Sequence, residues 1–449
     1  MTGLLDPLLR ADAMREIFCD RGRLQGLLDF EAALARAQSR IGVIPRDAAP
    51  AIGAQCEAKL FDIDALAQAT KLAGNLALPM VTALTSLVAK TDKQAAGYVH
   101  WGATSQDAVD TGLVLQLRSA FDWIEAEIAR LADALAQLAD KHRATPMAGR
   151  TWLQHAVPVT FGLKAASALS AVERHRTRLR EVRVRTLVLQ FGGASGTLAS
   201  LGSRGLEVVE ALAQELGLGA PDLPWHAHRD RIAEVATTLG LLTGTLGKIA
   251  KDISLLMQTE IGEVYEPAAP GKGGSSTMPH KRNPVGAAVV LGAATKVPAF
   301  VSVMLSAMAQ EHERGFGNWH AEWETLPEIC LLTAGALGHL VPMVEGLEID
   351  AARMRHNLDA TRGLILAEAV SVALAPKFGR DSAHHLVEAA CRRAITLGKS
   401  LRDVLADDAK ISAQLTAGEL DRLLDPANYL GASEQFINRV LAARNSDKQ

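Results

Sequence analysis

The sequence predicts an all-α protein built round a central bundle of long helices, and three observations carry that prediction. Proline is absent between Pro79 and Pro146, between Pro158 and Pro221, and between Pro224 and Pro267. Long helices can occupy such windows, because an interior proline would break them. Within the windows apolar residues recur at alternating steps of three and four, the spacing of one helix face. Aromatic residues make up only 4% of the chain, with leucine and alanine dominant instead, as in helix bundles.

The elements follow in order. An N-terminal region, 1–111, reads as shorter helices. The first long helix carries Leu117, Phe121, Ile124, Ile128, Leu131, Leu135 and Leu138 on one face. Phe161 to about residue 190 forms a second, with Arg174, Arg176, Arg178, Arg180, Arg183 and Arg185 on its outer side; such a charge run reads as a solvated face. A third carries Ile232, Val235, Leu239, Leu242, Leu246, Ile249, Ile253 and Leu256. These seams keep a heptad repeat, so neighbouring helices cross at a shallow angle and supercoil. Val285 to about Met308 is another apolar helix, interrupted by Pro298. The bundle therefore spans 112–360, and 361–449 forms a C-terminal helical cap. No strand alternation is found.

Bulk properties narrow the function. A formal charge of −3 and 22% charged residues give no basic excess for nucleic acid or anionic lipid. Cys19, Cys56, Cys330 and Cys391 are scattered, without metal-ligand spacing, and read as buried hydrophobes in a reducing compartment. Residues Met1–Arg10 lack a signal-peptide pattern, and no uninterrupted apolar run reaches about 18 residues. The expectation is a cytoplasmic protein with no membrane span. His320 with Glu324, and His226 with His228, fall short of the three or four converging ligands a metal needs, so no metal is expected. His384 and His385 read as structural or surface residues.

Three segments break the helical pattern with small and polar residues. His100-Trp101-Gly102-Ala103-Thr104-Ser105-Gln106-Asp107 precedes the first long helix. Its donors stand at a helix N-terminus, which favours anions; the plainer reading is an N-cap, with Ser105 or Asp107 satisfying the first turn. Gly149-Arg150-Thr151-Trp152-Leu153-Gln154-His155-Ala156-Val157-Pro158 joins two long helices and gathers Arg150, Gln154 and His155. A lone histidine of this kind is also an ordinary structural residue. The third, Gly271-Lys272-Gly273-Gly274-Ser275-Ser276-Thr277-Met278-Pro279-His280-Lys281-Arg282-Asn283-Pro284, is the most specific. Its glycines suit a loop that closes over a ligand, and it lacks the GxxxxGK[ST] phosphate cradle.

The Gly274–Pro284 stretch resembles the signature loop of the fumarase/aspartase superfamily, which includes adenylosuccinate lyase, argininosuccinate lyase, aspartase and class II fumarase. The first two segments resemble its other active-site regions in order and separation, so the resemblance covers essentially the whole chain. It implies a three-domain, all-α fumarase/aspartase-like fold, a homotetramer whose central domains form one bundle, and active sites shared between subunits. No cofactor and no metal are implied.

Two departures point to one branch. Trp152 stands where most members carry a catalytic histidine. Gly74-Asn75-Leu76-Ala77-Leu78-Pro79 occupies the region of a His-Asp pair in adenylosuccinate lyases. Met14–Phe18, Leu189–Gly196, Gln310–Arg314 and Trp319–Glu324 resemble the same branch, whose members close a lactone ring on a diene bearing three carboxylates. The substrate implied is thus a small tricarboxylate. A carboxylate oxygen attacks one alkene carbon, and a proton reaches the neighbouring carbon, α to another carboxylate. Fixed donors and cations must stabilise the dianionic aci-carboxylate.

By resemblance Ser275 transfers the proton, with Lys281 and the loop amides lowering its pKa, and His155 is a further catalytic candidate. Lys281, Ser276 and Asn283 are assigned to carboxylate binding, with Thr104, Ser105 and Gln106 facing a second carboxylate. Arg150, Gln154 and Ser195 are candidates for the same pocket. The nucleophile is already ionised at neutral pH, which explains how a histidine could give way to Trp152. Two rivals stand beside this reading: adenylosuccinate lyase or another C–N or C–O lyase, and a non-enzymatic relative, since the fold also serves as a lens protein. Retention of Ser275, Lys281 and Asn283 argues against the second.

Overall fold

The computed structural model describes residues 3–446, and it is 69% helical. The long helices are Ser105–Lys141, Phe161–Thr186, Asp230–Leu256, Val285–Ser306 and Asn318–Glu345. Their seams are buried as the spacing requires. Leu117, Phe121, Ile124, Ile128, Leu131 and Leu135 are all in the core, as are all eight residues from Ile232 to Leu256; Leu138 is half-buried. The all-α expectation is met.

One connector departs from it. Residues 149–158, read as a link between helices, lie in a β-hairpin of Pro146–Thr151 with Gln154–Thr160. Trp152 and Leu153 form its two-residue turn with φ of 52° and 62°. A tight hairpin turn of this kind asks for positive φ at both positions and usually recruits Asn-Gly, so Trp-Leu gave no turn signal. The register shifts between Ala148 and Arg150, and a Cβ at Gly149 would lie 2.6 Å from the Val157 carbonyl. The irregular pairing thus depends on glycine. A shorter pair joins Val264–Tyr265 to Glu348–Ile349.

Packing divides the chain into two compact units that interleave in sequence. One comprises Met1–Ala129, Arg174–Gly247 and Val289–His339; the other comprises Arg130–Glu173, Lys248–Ala288 and Leu340–Gln449. Three successive domains, 1–111, 112–360 and 361–449, remain our proposal for the chain's organisation.

In the first unit the Asp20–Ile41 helix packs on Gly205–Leu216. It also meets the start of Ser105–Lys141 through two glycines, since a Cβ at Gly26 would stand 2.8 Å from the Gly112 carbonyl. The helix pair approaches backbone to backbone there. Arg10 reaches Glu328 at 2.8 Å and ties the N-terminal segment to the Asn318–Glu345 helix.

In the second unit Ala367–Phe378 and Arg380–Leu397 form a helical hairpin about Gly379. Val370, Leu374, Val387, Leu401 and Leu405 fill its core. The last helix seats Ile437 among Ala139, Ala165 and Ala166, and Arg444 pairs with Asp133 and, at 2.9 Å, with Glu173.

Two helices, Val285–Ser306 and Asn318–Glu345, have the length and apolarity of a membrane span. The second is a core helix, with 72% of its apolar window buried, whereas the first is only 28% buried.

His175 couples the first unit's stability to pH. It is buried and its Nε2 lies 2.7 Å from Thr245 Oγ1. Burial first, then Arg178 and Arg174, push its pKa from 6.5 to about 4. A folded pKa below the unfolded one means the fold favours the neutral ring. The contribution is therefore complete above pH 6.5 and is lost as pH falls towards 4, by at most about 3 kcal/mol. Urea midpoints at pH 7 and pH 5 should separate more for the wild type than for His175→Gln; equal separations would contradict this assignment.

Candidate active site

The signature loop is built on a buried carboxylate in the second unit. Glu266 follows the short strand Val264–Tyr265 and accepts hydrogen bonds from the backbone N–H groups of Gly286 (3.1 Å) and Ala287 (2.8 Å). It thereby satisfies donors that the start of the Val285–Ser306 helix leaves open. Lys272 approaches the same carboxylate at 3.6 Å. Arg282 donates to Glu348 at 2.7 and 3.0 Å and lies 5.0 Å over the Tyr265 ring. These contacts fix both ends of the loop.

The loop closes on itself between them. Asn283 N donates to the Gly273 carbonyl at 2.9 Å, and Asn283 Nδ2 reaches the Gly274 carbonyl at 3.4 Å. Gly273 has φ of 67°, and a Cβ there would meet Asn283 O at 2.6 Å. Only glycine fits this position. At the loop's near side Ser275 Oγ accepts from Met278 N at 3.0 Å and from Thr277 N at 3.4 Å. Donors on a hydroxyl oxygen favour its alkoxide. Ser275 is half-buried, while Ser276 and Lys281 are exposed.

The hairpin contributes differently. Arg150 forms a fork with Glu263, at 2.9 and 2.7 Å, and Glu263 is fully buried and also accepts from Asn357 Nδ2 at 2.8 Å. The guanidinium expected to hold a substrate carboxylate is thus already engaged with a protein one, and its place is at the hairpin's foundation. His155 is half-buried; burial first, then Arg150, hold its pKa below the usual histidine value. Gln154 is exposed, and Trp152 and Leu153 at the tip are 98% and 79% exposed.

In the first unit Thr104 precedes the Ser105–Lys141 helix, and both Thr104 and Ser105 are half-buried. Asp107 accepts from Thr104 N at 3.0 Å, the reciprocal half of a capping box. Gln106 corrects the expectation that it faces substrate. It is fully buried, its Nε2 donates to Asp110 (3.0 Å) and to the His226 carbonyl (2.9 Å), and its Oε1 accepts from Arg314. Ser195 is exposed on the loop that begins at Gly192.

Beneath these segments lies an ionic cluster. Arg229 is buried between Asp110, at 2.7 and 3.1 Å, and Glu322, at 3.0 Å. Trp319 Nε1 donates to Asp110, and Gln310 Nε2 to Glu322. Burial, against the pull of Arg229, raises the Glu322 pKa. Sequence reasoning passed over Arg229, Asp110, Glu263 and Glu266. Isolated acids and an arginine within helical patterns give no signal; only the T-x-x-D spacing of Thr104 and Asp107 could have been used. The sequence candidates therefore divide: Thr104, Ser105, Gln106 and Ser195 belong to the first unit. Arg150, Gln154, His155, Ser275, Ser276, Lys281 and Asn283 belong to the second.

Comparison with known proteins gives this geometry its family. Residues 9–299 match the lyase family, and residues 363–440 match the adenylosuccinate lyase C-terminus family. The chain is 59% identical over 443 residues to a 3-carboxy-cis,cis-muconate cycloisomerase of Pseudomonas aeruginosa, covering 99% of this chain and 96% of that protein. The chain belongs to the lyase family. This is the fumarase/aspartase superfamily that its motifs resemble. Among solved members of the family, the 3-carboxy-cis,cis-muconate lactonizing enzyme from Pseudomonas putida superposes with a TM-score of 0.97 at 59% identity, over 100% of both chains. The β-carboxy-cis,cis-muconate cycloisomerase from Acinetobacter calcoaceticus gives 0.94 at 45% identity, over 98% of this chain and 100% of the other.

The loop base yields a prediction. Gly273→Ala would force positive φ on a side chain and press its Cβ against Asn283 O. Opening at the base should become easier by at least about 1.4 kcal/mol, which is tenfold in the open population. Limited trypsin digestion should cut at Lys281 or Arg282 correspondingly faster, and an unchanged rate would contradict the closed base.

Proposed function

We infer that this protein is a 3-carboxy-cis,cis-muconate cycloisomerase, forming 4-carboxymuconolactone in the protocatechuate branch of the β-ketoadipate pathway. The observation that carries this is the likeness to Pseudomonas enzymes of that activity along the whole chain, at 59% identity. Trp152, in place of the usual histidine, agrees with it. The internal nucleophile is a carboxylate, ionised at neutral pH, and needs no general base.

In lactonisation a carboxylate oxygen bonds to the alkene carbon that bears the extra carboxylate. The π electrons move to the neighbouring carbon, whose own carboxylate takes up the charge as an aci-carboxylate. A proton then forms the new C–H bond. We assign that proton to Ser275, with the N–H groups of Met278 and Thr277 stabilising the alkoxide it leaves; their 3.0 and 3.4 Å contacts with Oγ support the assignment. Lys281, Ser276 and Asn283 are proposed to bind one carboxylate, and Thr104, Ser105 and Ser195 a second. Gln154 and His155 are proposed as further members of the pocket. Surroundings that disfavour the cation, burial first and then Arg150, suit His155 as a hydrogen-bond partner.

A cytoplasmic homotetramer with active sites shared between subunits completes the proposal. The Val285–Ser306 helix supports it, because an apolar helix only 28% buried within its own chain asks for a covering surface. Sedimentation velocity should give a tetramer, and a monomer would contradict this part.

An ultraviolet assay of the purified protein, without added metal or cofactor, tests the reaction. Diene absorbance of 3-carboxy-cis,cis-muconate should disappear rapidly, while adenylosuccinate should release no fumarate. The reverse result would replace the cycloisomerase by the fumarate-releasing lyase.

A further inference from the structure

We propose that Asp107 is a positioning residue that locks the Thr104–Ser105 helix start to the Gly192–Ser195 loop, so that both segments present their donors to one substrate carboxylate. The proposal rests on the reading above, in which Thr104, Ser105 and Ser195 bind that carboxylate.

Asp107 is fully buried, and an ionised carboxylate offers about four acceptor positions. All four are used. Oδ1 accepts from Gly192 N at 3.0 Å and from His226 Nε2 at 2.7 Å; Oδ2 accepts from Gly193 N at 2.9 Å and from Thr104 N at 3.0 Å. A helix cap requires only the Thr104 contact. Two consecutive amides from a loop some eighty-five residues away, together with a buried imidazole, go beyond capping.

The loop is shaped for this seat. A Cβ at Gly192 would stand 2.6 Å from Pro224 Cβ and 2.9 Å from His226 Cε1. Gly193 has φ of 68°, and a Cβ there would lie 3.0 Å from the Gly102 carbonyl. Backbone of the loop therefore packs directly on the segment that leads into Thr104. Where Asp107 takes the loop's N–H groups, Arg314 takes its carbonyls, donating to Ala194 O at 2.6 Å and to Gly193 O at 3.4 Å. Arg314 also donates to Gln106 Oε1 at 3.3 Å. An anion and a cation thus hold the two polarities of one peptide stretch, and both tie it to the same helix start. Ser195 follows two residues after Gly193, so its hydroxyl is set relative to Thr104 by the Asp107 carboxylate. Because Asp107 has no exposed surface, it acts through these neighbours and does not touch substrate.

Steady-state kinetics on the full-length enzyme with 3-carboxy-cis,cis-muconate test this. Asp107→Asn orphans two buried donors and can fail to fold, so His226 supplies the second route. His226→Leu should raise KM about tenfold with kcat changed less than threefold, the pattern of lost uniform binding. His226→Gln, which keeps an N–H donor, should stay within about twofold of wild type. The decisive arm is a double-mutant cycle. If His226 and Asp107 act through the loop, His226→Leu combined with Ser195→Ala should raise KM no further than Ser195→Ala alone. Multiplying effects, or a KM untouched by His226→Leu while Ser195→Ala and Thr104→Ala raise it, would overturn the positioning role. If neither Ser195→Ala nor Thr104→Ala raises KM, the carboxylate-binding reading fails first, and this proposal falls with it.

Discussion

A peptide N–H sealed from water must find an acceptor, and in this protein buried carboxylates meet that demand at two helix starts and brace the hairpin at a third site. Asp107 holds Thr104, Gly192 and Gly193. Glu266 holds Gly286 and Ala287. Glu263 holds the side chains of Arg150 and Asn357. Each of these acids is desolvated and stable only because several donors converge on it. Removal of one partner leaves a buried charge uncompensated, which is typically far costlier than the pair's net contribution. The long helices supply the regular structure, and the acids fasten the irregular segments to it.

That arrangement suits a reaction whose difficulty is charge. A tricarboxylate with an aci-carboxylate intermediate needs oriented donors that do not reorganise as the charge moves. Backbone amides provide them at helix starts and where the backbone is irregular, and irregular backbone is ordinarily mobile. Pinning the ends resolves the conflict. The signature loop is tied by Glu266, Arg282 and the Gly273–Asn283 pair, while Ser276 and Lys281 stay exposed between the ties. The proposed mechanism asks this loop to meet substrate with its ends held in register.

The helices were legible in the sequence because burial imposes a period. Every residue of the Ile232–Leu256 seam lies in the core, and the three segments that break the period lie between or at the start of the long helices. What escaped had no period to betray it. The 146–160 hairpin carries two prolines, Pro146 and Pro158, a bulge at Gly149 and a Trp-Leu turn, none of which announces a strand. In the sequence Gln106 and Arg150 suggest ligand contacts, because polar residues in a special segment invite that expectation. A sequence does not tell which way a side chain points, and both point inward to partners over a hundred positions away. The partners themselves, Glu263 and Asp110 with Arg229, lie in stretches that read as ordinary helix or linker.

The central claim is that Ser275 delivers the proton that completes ring closure. Turnover of 3-carboxy-cis,cis-muconate in deuterium oxide, followed by proton NMR for the wild type and for Ser275→Ala, tests it most directly. The account predicts one deuterium at the carbon next to the new C–O bond with wild-type enzyme. It predicts a rate at least about a thousandfold lower in the variant, the scale of losing a positioned acid. A Ser275→Ala enzyme that labels the same carbon within about tenfold of the wild-type rate would contradict it and move the proton transfer to another group.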